Sequence, residues 1–163
     1  MSDLGIDDRC QNPEHCKKRR VAFAAQNERM LNLYGYAEFE EFNESLVSEN
    51  GKINKNVFKQ SHHIQKRSFE RVFSQMEIST ILKDGDIIEY WQNREEKKML
   101  VWGNIYNKNA KVKYRPVHIV LRKNSSDDKW TVSTIYNPET MQWKWDKSLT
   151  KRICFCKVEE EGF

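Results

Sequence analysis

The second half of the chain alternates between apolar and polar positions. DIIEYW (86–91), KMLVWGNIY (98–106), VKYRPVHIVL (112–121) and KWTVSTIY (129–136) are rich in β-branched and aromatic residues and read as strands. The polar loops QNREEK, NKNAK and RKNSSDD join them, and connections this short make neighbours antiparallel. Ahead of these strands the period lengthens. Ile64, Phe69, Val72 and Phe73 recur at helical spacing, while His63, Arg67 and Arg71 follow one another at i, i+4 and i+8 on a different face. Ser74 with Glu77 three residues later is a capping box opening a short second helix, which Gly85 closes. Further upstream, KKRR leads into VAFAAQNERMLNLYGYAEFEEFNESL, helical in propensity with a break expected at Gly35; NGKINKN (50–56) reads as a linker. Beyond the strands lie NPE, a Trp-rich segment MQWKWDKSL and an expected last strand RICFCKV. The pattern predicts an α+β fold: N-terminal helices followed by an antiparallel four- to five-stranded sheet, with helices packed on one face. It divides the chain into a helical extension, 1–50, and a main domain, 51–163.

One strand carries unusual residues. Pro116 cannot donate to a ladder and belongs at a strand's start, which leaves Arg115 on the surface at the strand mouth. Alternation puts Val117, Ile119 and Leu121 on one face and Tyr114, Pro116, His118 and Val120 on the other, so His118 points away from the expected core. The same rule places Thr134 and Tyr136 on a face with Trp130 and Val132, a hydroxyl pair beside an aromatic on which a base can stack.

Charge narrows the choice of partner. The net formal charge of the 163 residues is +4, but from Lys52 to Lys123 there are 16 Lys/Arg against 7 Asp/Glu, a local excess of +9. Such a centre suits a polyanion, whose counterions are released on binding; a solvated lysine-rich surface is the plainer alternative. No apolar run approaches the roughly 20 residues that span a bilayer, and MSDLGIDDRC lacks the layout of an export signal. A cytoplasmic site of action is expected, with delivery by separate machinery left open.

Four cysteines form two close pairs at opposite ends, Cys10 with Cys16 and Cys154 with Cys156. Neither spacing is that of a usual zinc knuckle, so unlinked thiols are the first expectation. Zinc, with His15 as a substitute ligand, and a disulfide joining the termini are the alternatives.

The order of these motifs resembles a widespread family of small, uncharacterised bacterial domains. Its pattern reads H-x-x-x-R-x-x-x-R, then D/N-G-x-I-I-E-x-Y, then G-R-P-L-H-V-V, then T-x-Y-x-P, and residues 61–145 follow that order. Here the loop before Arg-Pro is KVKYRP, without the family's glycine. That family is placed in the barnase, EndoU, colicin and RelE-like superfold of metal-independent ribonucleases, many of them toxins. The resemblance implies two helices on a four-stranded sheet whose exposed side is the active face, with His63, Arg67, Arg115, His118, Thr134 and Tyr136 as catalytic candidates. His62, Arg71, Lys113 and Trp130 are the expected substrate-binding residues. It implies no cofactor and no metal.

The chemistry asks for the same residue types. Cleaving RNA without metal needs a base for the 2′-hydroxyl, an acid for the leaving 5′-oxygen and fixed cations for the phosphorane; histidine and arginine supply them. The expected function is a metal-independent endoribonuclease toxin that cleaves tRNA or another structured RNA to a 2′,3′-cyclic phosphate. Its expected partners are RNA and an acidic neutralising immunity protein. The alternative is a catalytically silent RNA-binding or protein-interaction module using the same basic face.

Overall fold

The computed structural model describes residues 9–54, 56–61 and 73–156. Asn12 accepts from the His15 backbone N–H, and Pro13 occupies the first turn, so the helix begins ahead of KKRR. This helix, α1 (Pro13–Met30), continues through a π-helical turn (Leu31–Gly35) into α2 (Tyr36–Ser45) without a break. Gly35 serves a close approach instead. A Cβ built there would lie 2.8 Å from Tyr90 Cβ and 2.9 Å from Leu31 Cδ2. Gly35→Ala is expected to lower stability by about 1–3 kcal/mol through overpacking, measurable by urea unfolding.

The strands are β1 (Phe58–Gln60), β2 (Asp86–Gln92), β3 (Glu96–Tyr106), β4 (Tyr114–Asn124) and β5 (Trp130–Tyr136), with α3 (Gln75–Lys83) ahead of β2. The sheet order is β1-β5-β4-β3-β2. Strands β2 to β5 form the expected antiparallel meander, while β1 pairs parallel with β5. β1, a strand of 3 residues, has no counterpart in the sequence pattern. The predicted capping box is present: Ser74 Oγ accepts from Glu77 N, and Glu77 Oε1 accepts from Ser74 N, both at 3.1 Å. The C-terminal expectation is corrected. A 3₁₀ segment (Pro138–Lys144) follows β5, residues 153–156 are irregular, and among the described residues of this segment pairing is limited to an isolated bridge between Trp145 and Arg152.

The sheet has two covered faces. On the first, Val101, Val117, Ile119, Leu121 and Val132 form one core with Ile78 and Leu82 of α3 and with Leu31, Phe42 and Leu46 of the N-terminal helical region. The boundary expected at residue 50 therefore does not separate two cores. Asn27 of α1 secures the outer edge of β2: its Nδ2 donates to Ile88 O at 2.9 Å, and its Oδ1 accepts from Tyr90 N at 3.0 Å. Those bonds occupy backbone groups that would otherwise form an open sheet edge.

On the second face Leu100, Val120 and Tyr136 are buried beneath Trp145, with Met141 and Leu149 packed against them. Residues 145–152 thus form a strap across part of the surface expected to be open. A register shift between Val120 and Leu121 also breaks the simple alternation of β5. Thr134 pairs with Val120, whereas Val132 pairs with Leu121, and Trp130 and Val132 join the helix-side core.

Candidate functional site

His118 reaches the second face, as its parity predicted, and is fully buried there, at 0% exposure. Its Nε2 lies 2.7 Å from Leu149 O and its Nδ1 lies 2.9 Å from Tyr136 Oη. A carbonyl can only accept, so Nε2 carries the proton and Nδ1 accepts from the tyrosine hydroxyl. Trp145 stands edge-on, 4.4 Å from the imidazole between centroids. Burial lowers the His118 pKa to about 3; the Leu149 carbonyl opposes that shift and Arg152 adds to it. With both nitrogens engaged under the strap, His118 is a structural pin in this arrangement. Leu149, held at φ 63, is the residue it pins.

The other expected site residues scatter. Tyr136 is buried as the partner of His118. Thr134 is half-buried opposite Val120 on the same face. Trp130, at 5% exposure in the helix-side core, has no face free for a base. Lys113 and Arg115 are exposed at the β3–β4 hairpin tip. His62, His63, Arg67 and Arg71 lie outside the described residues.

A different group converges further along the second face. Lys98 of β3 lies directly across from Arg122 of β4, and Glu89 of β2 pairs with Leu100, two residues along β3 from Lys98. Arg152 reaches in from the strap and grips Glu89 with two bonds, Nε–Oε2 3.1 Å and Nη2–Oε1 3.2 Å. Its guanidinium carbon lies 4.6 Å from the centroid of the Trp145 ring, which fixes the plane of the fork. Arg122 Nη1 donates to Glu96 Oε1 at 2.7 Å. Burial lowers the Lys98 pKa below the ordinary lysine value; Arg122 and Arg152 lower it further, against Glu89 and Glu96.

These side chains line a recess of about 400 Å³ that also includes Phe23, Lys144 and Phe155. It adjoins a cavity of about 1150 Å³ between α1 and the strap, since Phe23, Asn27, Glu89 and Arg152 line both. Sequence reasoning missed this group. The signal was partial: Glu89 interrupts the apolar run of β2, whereas Lys98 and Arg122 belong to the charged ends EKK and RKN of β3 and β4.

Residues 60–137 match the family model described as a domain of unknown function, DUF4258. No curated protein and no solved structure matches the chain. The DUF4258 match includes Glu89, Lys98 and Arg122 but ends before Arg152 and the strap. The matched segment thus supplies Glu89, Lys98 and Arg122 of this group, and the C-terminal segment supplies Arg152.

Chemically, the recess is lined by two carboxylates, Glu89 and Glu96, and five cations, Arg19, Lys98, Arg122, Lys144 and Arg152, around a half-enclosed space. It can take a phosphate on its arginines, accept a proton on a carboxylate and donate one from a lysine whose ammonium is destabilised. Among the described residues, no helix is long and apolar enough to cross a membrane.

Proposed function

We propose that this protein is a metal-independent endoribonuclease whose reaction centre is the recess formed by Glu89, Lys98, Arg122 and Arg152. The observation that carries this reading is the lowered Lys98 pKa within a group that also holds an ion-paired carboxylate and two arginines. In this mechanism Glu89 takes the proton of the ribose 2′-hydroxyl, whose oxygen then attacks the adjacent phosphorus. Arg122 and Arg152 neutralise the equatorial oxygens of the phosphorane. Lys98 protonates the departing 5′-oxygen, which its lowered pKa favours. The products are a 2′,3′-cyclic phosphate and a 5′-hydroxyl, and DNA is refused for lack of the attacking hydroxyl.

The hairpin tip supports RNA as the substrate class. Tyr106 and Tyr114, 56% and 63% exposed, pair there with ring centroids 5.0 Å apart. Lys108, Lys111, Lys113 and Arg115 surround them, all exposed. Aromatic faces among cations bind unpaired bases and phosphates without a sequence requirement. The tip lies eight residues along the strands from Lys98 and Arg122, roughly 26 Å at strand rise, so a structured RNA such as tRNA spans both where a dinucleotide does not. A producer of such an enzyme needs a neutralising protein, and an acidic one covering the tip fits the charge.

The same tip favours a second reading, a silent RNA-binding module, because binding there needs nothing from the recess. The test is incubation of the purified chain with total tRNA in EDTA, followed by end mapping. Discrete fragments with cyclic phosphate ends, abolished by Arg122→Ala but retained when Lys111 and Lys113 become alanine at saturating RNA, are the expected result. Intact RNA bound through the tip would replace the nuclease with the binding module.

A further inference from the structure

The four cysteines, separated by most of the chain, meet in space. The sulfurs of Cys10, Cys16, Cys154 and Cys156 all lie within 4.8 Å of one another. Cys10, Cys16 and Cys154 are buried and Cys156 is half-buried. From the geometry we infer that they form a structural tetrathiolate zinc site that fastens the start of α1 to the chain's C-terminal segment.

The distances separate zinc from the alternatives. Cys156 Sγ is 3.8 Å from Cys10 Sγ and also 3.8 Å from Cys16 Sγ. A disulfide brings two sulfurs to about 2.05 Å and picks one partner, whereas here one sulfur is equidistant from two. A tetrahedral zinc with bonds of about 2.3 Å holds its sulfurs roughly 3.8 Å apart. Four protein ligands leave no open position, so the site is structural and separate from the chemistry of the recess. His15, considered as a substitute ligand, is exposed and is not needed.

The surroundings favour a thiolate at Cys16 and at Cys156. Phe155 N donates to Cys16 Sγ at 3.3 Å. Burial pushes the Cys156 thiol up, but the N–H groups of Gln11 and Asn12 and the thiols of Cys154 and Cys10 more than offset it, giving about 7. Lys144, at 1% exposure, places its ammonium 2.5 Å from Cys156 O, a buried cation beside a centre whose net charge with zinc is −2. Burial raises Cys10 and Cys154 above the ordinary thiol value, which disfavours them as thiolates until a cation arrives. Zinc binding therefore displaces protons from these thiols to solvent and tightens as pH rises.

The spacing explains why the sequence hid the site. Five residues between Cys10 and Cys16 make the turn from irregular chain, past the Asn12 cap, into the first turn of α1. One residue between Cys154 and Cys156 brings two ligands from an irregular segment that is free to fold around an ion. The zinc anchors that segment just beyond Arg152, so it also holds the strap over the recess.

The full chain, purified without a metal-affinity column, is expected to carry one zinc per molecule by plasma mass spectrometry. Four thiols should become reactive as a mercurial displaces the metal. Cobalt exchange should give the visible bands and thiolate charge-transfer absorption of a tetrahedral tetrathiolate. Cys156→His keeps four ligands and should keep the metal with a cobalt spectrum shifted toward three sulfurs and one nitrogen. Cys16→Ser should weaken binding at least about 100-fold, and metal loss should lower Tm by roughly 10 °C. If Cys16→Ser does not fold, native-chain stoichiometry and the Cys156→His spectrum still decide. A disulfide among these cysteines, four freely reactive thiols after exposure to zinc, or preferential retention of iron would overturn the assignment. Metal content measured after the EDTA incubation keeps this test distinct from the cleavage assay.

Discussion

Glu89→Gln is expected to reduce RNA cleavage by about 10³-fold while leaving RNA affinity within a few-fold of the parent, because it removes the base and keeps the volume. The side chains of Glu89 and Arg152 are only 13% and 12% exposed, so the change also leaves a guanidinium short of its counter-charge and lowers stability. Cleavage is therefore compared well below either melting temperature. The pH profile separates catalysis from packing. A parent limited on the acid side by a carboxylate base loses that limb in Glu89→Gln, while a structural defect scales the whole curve. Activity within threefold of the parent, with the acid limb intact, would remove Glu89 from the mechanism and with it the recess as the reaction centre.

The second large effect concerns His118 and acid. Its folded-state pKa is about 3, below the ordinary 6.5, so the unfolded chain takes up the proton first as pH falls. Stability from this residue is complete above pH 6.5 and is lost progressively between pH 6.5 and 3, by about 1.4 kcal/mol per unit. Urea unfolding at pH 7.5 and 4.5 should show the parent losing about 2–3 kcal/mol more than His118→Gln, which cannot titrate. Carboxylates contribute to both proteins and cancel in the difference. At pH 7.5, His118→Ala should cost about 3–5 kcal/mol, since it empties a packed site and leaves Tyr136 Oη and Leu149 O without this partner. Equal pH slopes for parent and His118→Gln would mean that the imidazole is reached by water in the folded state.

Much of the fold was legible. Period-two alternation found β2 to β5, and Ser74 with Glu77 marked the start of α3, because each signal is local and each is repeated or reciprocal. The continuous passage through Gly35 was not legible, since the reason for that glycine is Tyr90, which lies 55 positions away in a strand. Trp130 was misplaced for a related reason: one register shift in β5 inverted the face of every residue before it. The site was the least legible part. Histidine drew attention as a titratable residue, yet Glu89 and Lys98, to which the sequence pattern assigned no role, line the recess.

By itself the sequence determined the α+β class, the antiparallel meander, the side of the sheet on which His118 lies and the basic character of the middle of the chain, because each follows from periodicity, short loops or charge. The tertiary structure decided which face of the sheet is covered and by what. It made His118 a buried pin, placed Arg152 over Glu89 and drew four cysteines into one cluster. Those outcomes depend on contacts between residues as far apart as Cys10 and Cys156. No local pattern encodes them, since they arise only when helix, sheet and C-terminal segment compete for the same apolar surface.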